Sequence, residues 1–150
     1  IVNRITMSNK VEMFSERFFN IIFHVAGDWD YVTVTNREVI AVDQDALGKQ
    51  GARISGGDMH GPSGDTKNVW ARQLSDGTWA AVFVNNANVT ADVVCDTKCF
   101  AQMFPRKAHE RRVIVVRDLW QHKIVGTTST YSWTAKRVPG FGASVMYRFV

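Results

Sequence analysis

The pattern of apolar positions changes along the chain. Residues 11–25 (VEMFSERFFNIIFHV) carry apolar side chains at the spacing of an amphipathic helix, and Gly27 and Asp28 interrupt that pattern. Residues 28–35 then alternate in the manner of a short strand. The N-terminal part of the chain is therefore predicted to hold one helix followed by a short strand.

Short apolar runs separated by turn residues dominate the chain after residue 50. The runs 68–74 (NVWARQL) and 79–84 (WAAVFV) flank the turn sequence Ser-Asp-Gly, which is a good hairpin signal. Residues 56–67 are predicted to form a long polar loop, and no helix is predicted between the runs. This arrangement predicts an antiparallel sandwich or barrel with four tryptophans in its core. The further runs are 91–95, 113–117, 124–125, 129–135 and 143–149, and the tryptophans are Trp70, Trp79, Trp120 and Trp133.

Composition and charge narrow the possible classes of protein. The 150 residues are 45% hydrophobic and 21% charged, which is typical of one globular domain. The net charge of +4 is scattered along the chain, whereas a nucleic-acid-binding surface needs clustered cations. No apolar run approaches the roughly 20 residues that span a bilayer. We therefore expect neither a nucleic acid nor a membrane as a partner. The initial Ile1 suggests either a piece of a longer protein or a processed product.

Two aspartates stand two residues apart in the stretch NREVIAVDQDALGKQGARI, residues 36–54. On an extended segment Asp43 and Asp45 point the same way, and a pair of carboxylates can act as general acid and base. Short acidic side chains also accept hydrogen bonds from nearby backbone amides in turns. The residues alone leave both interpretations open.

Two further motifs bear on the cellular compartment and on cofactors. Cys95 and Cys99 are either two buried thiols or a small disulfide-closed loop, and their spacing does not decide between these. The tripeptide Asn88-Val89-Thr90 is a sequon for N-glycosylation, which agrees with a disulfide. No metal or other cofactor is expected, because the histidines lack metal-ligand spacing. They are His24, His60, His109 and His122.

The stretch EVIAVDQDALGKQG (residues 38–51) resembles a segment of glycoside hydrolase family 27, the α-galactosidases and α-N-acetylgalactosaminidases. Asp43 stands where the family usually has Asn, and Ala46 where it has Pro. The hairpin sequences of residues 69–80 and the motif RDLW (117–120) are also similar to this family. Gly140-Phe141-Gly142 replaces its usual Pro-His-Gly. The resemblance covers residues 36–150.

The resemblance implies a mainly β fold, an antiparallel Greek-key β-sandwich preceded by an N-terminal helix. Residues 36–150 are then the C-terminal sandwich domain. Residues 1–35 are a remnant of the last strand and helix of a (β/α)8 barrel, together with an insert that has no counterpart. A complete barrel takes about 250 residues, more than this chain provides.

The resemblance also implies a function. Members of the family hydrolyse terminal α-galactosides with retention, by two aspartates of the barrel, so no catalytic residue is expected here and the chain alone should be inactive. The sandwich is expected to pack against that barrel, and a homodimer is left open. Because the family has an amide at the place of Asp43, Asp43 and Asp45 are expected to hold the corner between barrel and sandwich.

Three expectations concern modification and location. Cys95 and Cys99 resemble the small disulfide loop of the animal lysosomal members, so the resemblance implies that they are bonded. Together with glycosylation at Asn88, it implies a secreted, lysosomal or vacuolar protein.

Two alternatives remain open. One is a free-standing carbohydrate-binding sandwich, which galactoside binding by the isolated chain would favour. The other is a truncated, inactive gene product.

Overall fold

The computed structural model describes residues 35–57, 66–105 and 113–150. The chain divides into two compact units, Ile1–Thr35 and Asn36–Val150, and nearly all described residues belong to the second. The predicted helix over residues 11–25 lies outside the described residues. So does the strand predicted over 28–35, except for Thr35, which is helical and contradicts the strand at that position. No helix among the described residues has the length and apolar character needed to cross a membrane.

Two antiparallel sheets form the second unit, which confirms the predicted mainly β fold. The larger sheet has six strands in the order β1-β2-β3-β8-β5-β6, and the smaller pairs β4 with β7. The strands are β1 Ala52–Ser55, β2 Lys67–Gln73, β3 Trp79–Asn85, β4 Ala91–Cys95, β5 Ile114–Asp118, β6 Lys123–Thr128, β7 Trp133–Val138 and β8 Ala143–Phe149. Two short helices accompany them, α1 (Arg37–Asp43) and α2 (Thr97–Met103).

The core lies between the two sheets and is closed at one side by α2. Phe83 of β3 and Phe149 of β8 are fully buried there, and the ring of Phe100 from α2 meets Phe149 edge-on, with centroids 5.2 Å apart. Trp79 and Trp133 pack against this cluster as expected, whereas Trp70 and Trp120 are not part of it. Alternate residues of both sheets therefore supply the core, as in other sandwiches.

The predicted hairpin is confirmed. Its strands β2 and β3 pair without a register shift from Lys67 opposite Asn85 to Gln73 opposite Trp79. Gly77 supplies the left-handed turn conformation, with φ of 83°, and the Leu74 N–H donates to the Thr78 carbonyl at 2.9 Å. The turn residues Ser75 to Gly77 therefore connect the two strands, and Ser75 contacts Asp45 in the segment that follows α1.

Four elements correct the sequence prediction. Helix α2 was not expected, although Asp96 caps it by accepting hydrogen bonds from the amides of Lys98 (3.1 Å) and Cys99 (2.9 Å). Strand β1 was missed because it has only four residues, and α1 because its seven residues show barely two turns of periodicity. The strand predicted over 129–135 begins later, at Trp133, because Tyr131 has a φ of 55°, which is not an extended conformation.

Candidate functional site at the junction of helix α1 and the large sheet

Asn36 fixes the start of α1 to the large sheet. Its Oδ1 accepts hydrogen bonds from the amides of Glu38 (3.0 Å) and Val39 (3.1 Å), so it is the N-cap of the helix. Its Nδ2 donates to the carbonyl of Leu119 at 2.9 Å, in the turn after β5. The side chain is buried and uses both its donor and its acceptor, so one residue satisfies groups of two distant segments.

Glu38, in the first turn of the helix, forms an ion pair with the same region of the sheet. Arg117 of β5 donates from Nε to Oε2 and from Nη2 to Oε1, both at 2.7 Å, and Nδ1 of His122 lies 2.8 Å from Oε1. The hydrogen bond from Arg117 is the main cause that lowers the pKa of Glu38 from 4.5 to about 2, and His122 adds to it against the opposing effect of burial. The carboxylate is therefore held ionised and in a two-point geometry.

Arg117 belongs to a row of arginines on the face of the large sheet that is turned away from the core. Arg148 of β8 is its cross-strand neighbour, and Ala80 of β3 links Arg148 in register to Arg72 of β2. Like charges on one sheet face repel one another, and each arginine has an acidic group nearby. The acidic partners are Glu38 for Arg117, Asp76 for Arg148 and Asp45 for Arg72.

Asp45 connects the end of the α1 segment to the β2–β3 turn. Its carboxylate accepts hydrogen bonds from the Ser75 amide (2.9 Å), the Ser75 hydroxyl (2.8 Å) and the Leu47 amide (3.1 Å). Burial would raise its pKa, but these bonds and the charge of Arg72 together lower it. Asp45 therefore bonds the segment that follows α1 to the β2–β3 turn, close to Arg72.

Asp43 has a different environment from Asp45. It is the last residue of α1, its side chain is exposed, and it accepts a hydrogen bond from Nε2 of the adjacent Gln44 at 2.8 Å. The structure thus places the two aspartates in separate hydrogen-bonding arrangements.

Cys95 and Cys99 form a disulfide, as the resemblance implied. Cys95 is the last residue of β4 and Cys99 lies in the first turn of α2, with Cα atoms 5.2 Å apart. Both are buried in the core cluster. The bond therefore attaches the start of α2 to the smaller sheet.

The remaining predicted residues lie elsewhere. Asn88 is exposed in the turn between β3 and β4. His122 contacts Glu38, and His24, His60 and His109 are outside the described residues. Within the ranges 35–57, 66–105 and 113–150, no three or more His, Cys, Asp or Glu side chains come together as a metal site would require.

Sequence reasoning missed Asn36, Glu38 and Arg117 as a connected group. Asn36 directly before REVIAVD is an N-cap signal that was available in the sequence. The pairing of Glu38 with Arg117 joins residues 79 positions apart, and no local pattern encodes it.

Comparisons with known proteins agree with this architecture. Residues 64–149 match the family described as the alpha galactosidase C-terminal beta sandwich domain. Alpha-galactosidase 2 of Arabidopsis thaliana is 32% identical over 105 residues, which are 70% of this chain and 22% of that protein. Human alpha-galactosidase A is 33% identical over 86 residues, 48% of this chain and 18% of that protein.

A solved structure shows the same fold. Alpha-galactosidase I from Mortierella vinacea superposes with a TM-score of 0.67 at 22% identity, over 83% of this chain and 29% of that one. The chain spans about a fifth of the length of the curated relatives it matches. The family match covers more than half of the 150 residues, and the two-sheet architecture agrees with it. The chain therefore belongs to the family of α-galactosidase C-terminal β-sandwich domains.

Proposed function

We propose that this chain is the C-terminal domain of a retaining α-galactoside hydrolase, in which it supports a catalytic (β/α)8 barrel. The observation that carries the proposal is the family match at residues 64–149, in a chain that spans about a fifth of relatives named α-galactosidases. A barrel takes about 250 residues, more than the 150 of this chain. The family's nucleophile and acid/base belong to that barrel.

The environment of the two aspartates supports a structural role for both. A retaining glycosidase holds a nucleophilic carboxylate and an acid about 5–5.5 Å apart, on either side of the sugar. The oxygens of Asp45 are already engaged by Ser75 and Leu47, and its lowered pKa is unsuited to a general acid. Asp43 and Asp45 are instead the corner at which the barrel is followed by the sandwich.

The outer face of the large sheet is the surface we assign to the barrel. A solvated sheet face is usually polar, but next to the arginine row this face carries four apolar residues on adjoining strands, of which Trp70 is half-buried and Val82, Val84 and Met146 are already buried. Segment 36–45, through which the chain enters the sandwich, is bonded to the same face through Glu38 and Asp45. The apolar residues therefore lie on the sheet face to which segment 36–45 is bonded.

The activity is tested by assaying the 150-residue chain and the barrel-bearing protein side by side on a chromogenic α-galactoside. We expect turnover from the barrel-bearing protein and none from the chain alone. Turnover that survives repurification and scales with the concentration of the chain would overturn the assignment of catalysis to the barrel. Absence of turnover by the barrel-bearing protein would overturn the hydrolase proposal.

The location we propose is the secreted, lysosomal or vacuolar space, since disulfides persist in oxidising compartments. The buried Cys95–Cys99 bond supports it. Whether the barrel-bearing protein is a homodimer is measured by its mass in solution.

A further inference from the structure

Asn88 stands at an accessible end of the sandwich. It is the only asparagine of the sequence that is followed by any residue and then Ser or Thr. Asn88, Val89 and Thr90 are all exposed in the turn between β3 and β4. The folded domain therefore leaves both the amide and the hydroxyl of the sequon open to solvent.

Hydrogen bonds from the side chain of Asn85 hold the turn that contains Asn88. The fully buried Asn85 side chain donates from Nδ2 to the carbonyls of Val89 and Val138, both at 2.9 Å, and its Oδ1 accepts from the Ala87 amide at 3.1 Å. These bonds join the turn to the end of β7. Asn88 thus projects from a fixed part of the scaffold, and a large group attached to it would not disturb the core.

An exposed aromatic ring lies beside this turn. Phe141 is 86% exposed, and its amide donates to the Ala87 carbonyl at 2.7 Å. Its φ of 61° is in the left-handed region, which non-glycine residues rarely adopt. Val89, in the turn itself, is 60% exposed. Two exposed apolar side chains thus belong to this turn and to the residue bonded to it.

We propose that Asn88 carries an N-linked glycan and that its first N-acetylglucosamine covers Phe141 and Val89. Nδ2 of Asn88 attacks the anomeric carbon of a lipid-pyrophosphate-linked oligosaccharide. The bond from that carbon to nitrogen forms, its bond to the pyrophosphate oxygen breaks, the amide loses one proton, and the lipid pyrophosphate leaves. The apolar C–H face of the sugar then removes the ring of Phe141 from water.

This inference rests on the oxidising location proposed above and not on the hydrolase activity. The site is tested on protein from its native source and on the whole chain, secreted from a glycosylating eukaryotic host. We expect a glycopeptide at Asn88, and aspartate at position 88 after release by a peptide N-glycosidase. Thr90→Ser keeps the sequon and should keep the glycan. Asn88→Gln removes the acceptor amide, and Thr90→Val replaces the threonine by a side chain of the same shape without the hydroxyl. Both should lose the glycan.

The position of the first sugar is tested by two kinds of trimming. Cleavage that leaves one N-acetylglucosamine should not change the binding of an apolar fluorescent dye, whereas complete removal should raise it. In Phe141→Ser, complete removal should raise dye binding much less, because only Val89 is then uncovered, and this comparison separates the effect of the ring from that of the charge created at position 88.

Two results would overturn the proposal. One is native protein with an intact Cys95–Cys99 bond and an unmodified Asn88. The other is dye binding that is the same with and without the first sugar, which would remove the role of Phe141. Neither result bears on galactoside hydrolysis, so the proposed function stands or falls separately.

Discussion

Single polar residues inside this domain satisfy backbone groups of distant segments. Asn36 joins α1 to Leu119, and Asn85 joins the β3–β4 turn to the end of β7. The buried Asp118 accepts hydrogen bonds from the amides of Trp120 and Gln121, both at 2.9 Å. Asn68 differs from these, because both polar atoms of its side chain are buried without a hydrogen-bond partner. Asn36 and Asn85 thus link distant segments, whereas Asp118 satisfies amides of its own turn.

The two aspartates of the corner should behave differently when each is changed to Asn in the barrel-bearing protein. Asp45→Asn is expected to lower the thermal midpoint, because the amide cannot reproduce the charged acceptor that Ser75 and Arg72 face. Asp43→Asn should leave the midpoint nearly unchanged, because its carboxylate is exposed and bonds to the adjacent Gln44. The measurement is kcat beside the thermal midpoint for both variants.

Neither substitution should affect the chemical step. Loss of a true acid/base carboxylate typically lowers the rate about 10²–10⁴-fold. A fall of that size in kcat at an unchanged midpoint would mean that the pair takes part in catalysis.

At the scale of elements, helix α1 is held to the sheet by the ion pair of Glu38 and Arg117. The pKa of Glu38 is about 2 in the folded domain, against an ordinary value of 4.5. A lowered folded pKa means that the carboxylate stabilises the fold fully above about pH 4.5 and loses that contribution as the pH falls toward 2. We therefore expect the midpoint difference between the native protein and Glu38→Gln to be present in full at about pH 5 and to shrink as the pH falls below that value.

Arg117→Gln is the matched variant for this pair. It removes the same interaction, so it should show the same dependence on pH, and the double variant should cost less than the two single changes added together. A midpoint difference that persists unchanged down to pH 2 would show that the ion pair does not stabilise α1.

The disulfide attaches the second helix to the smaller sheet, so its removal should lower the stability of the domain. The Cys95–Cys99 bond closes a very short loop, so its removal should cost no more than the roughly 3 kcal/mol estimated for a 15-residue loop. We expect the double change Cys95→Ala and Cys99→Ala to lower stability within that bound, measured by chemical denaturation under oxidising conditions. The native protein with a reductant is the comparison, and an equal midpoint with and without the bond would contradict a stabilising role.

At the scale of the whole molecule, a substitution on the outer face of the large sheet should lower stability more when the barrel is present. Trp70→Ser on that face is expected to lower the thermal midpoint more in the barrel-bearing protein than in the 150-residue chain, because it would remove contacts with the barrel as well as its contact with Arg53. Val94→Ser, on the smaller sheet and 50% exposed, is the matched control and should have nearly equal effects in both. Equal losses for Trp70→Ser in both proteins would exclude this face as the interface.

The sequence by itself determined the class of fold and most of its strands. The strands β2, β3, β4 and β8 agree with the predicted runs within one or two residues, since short runs of β-branched and aromatic residues bounded by turn residues are a local signal. The Ser-Asp-Gly turn predicted the hairpin for the same local reason. The family motif at residues 38–51 led to the right family, and the close cysteines to a correct disulfide through that resemblance.

Tertiary structure alone decided what these local pieces contact. Helices α1 and α2 have seven residues each, too few for periodicity to distinguish them from loops, and the fold stabilises them by burying Val42 and Phe100. The Glu38–Arg117 pair, the arginine row and the engagement of Asp45 by Ser75 join residues 79, 31 and 30 positions apart. Such contacts depend on the order of strands within the sheet, which brings distant side chains together, and no local sequence pattern specifies that order.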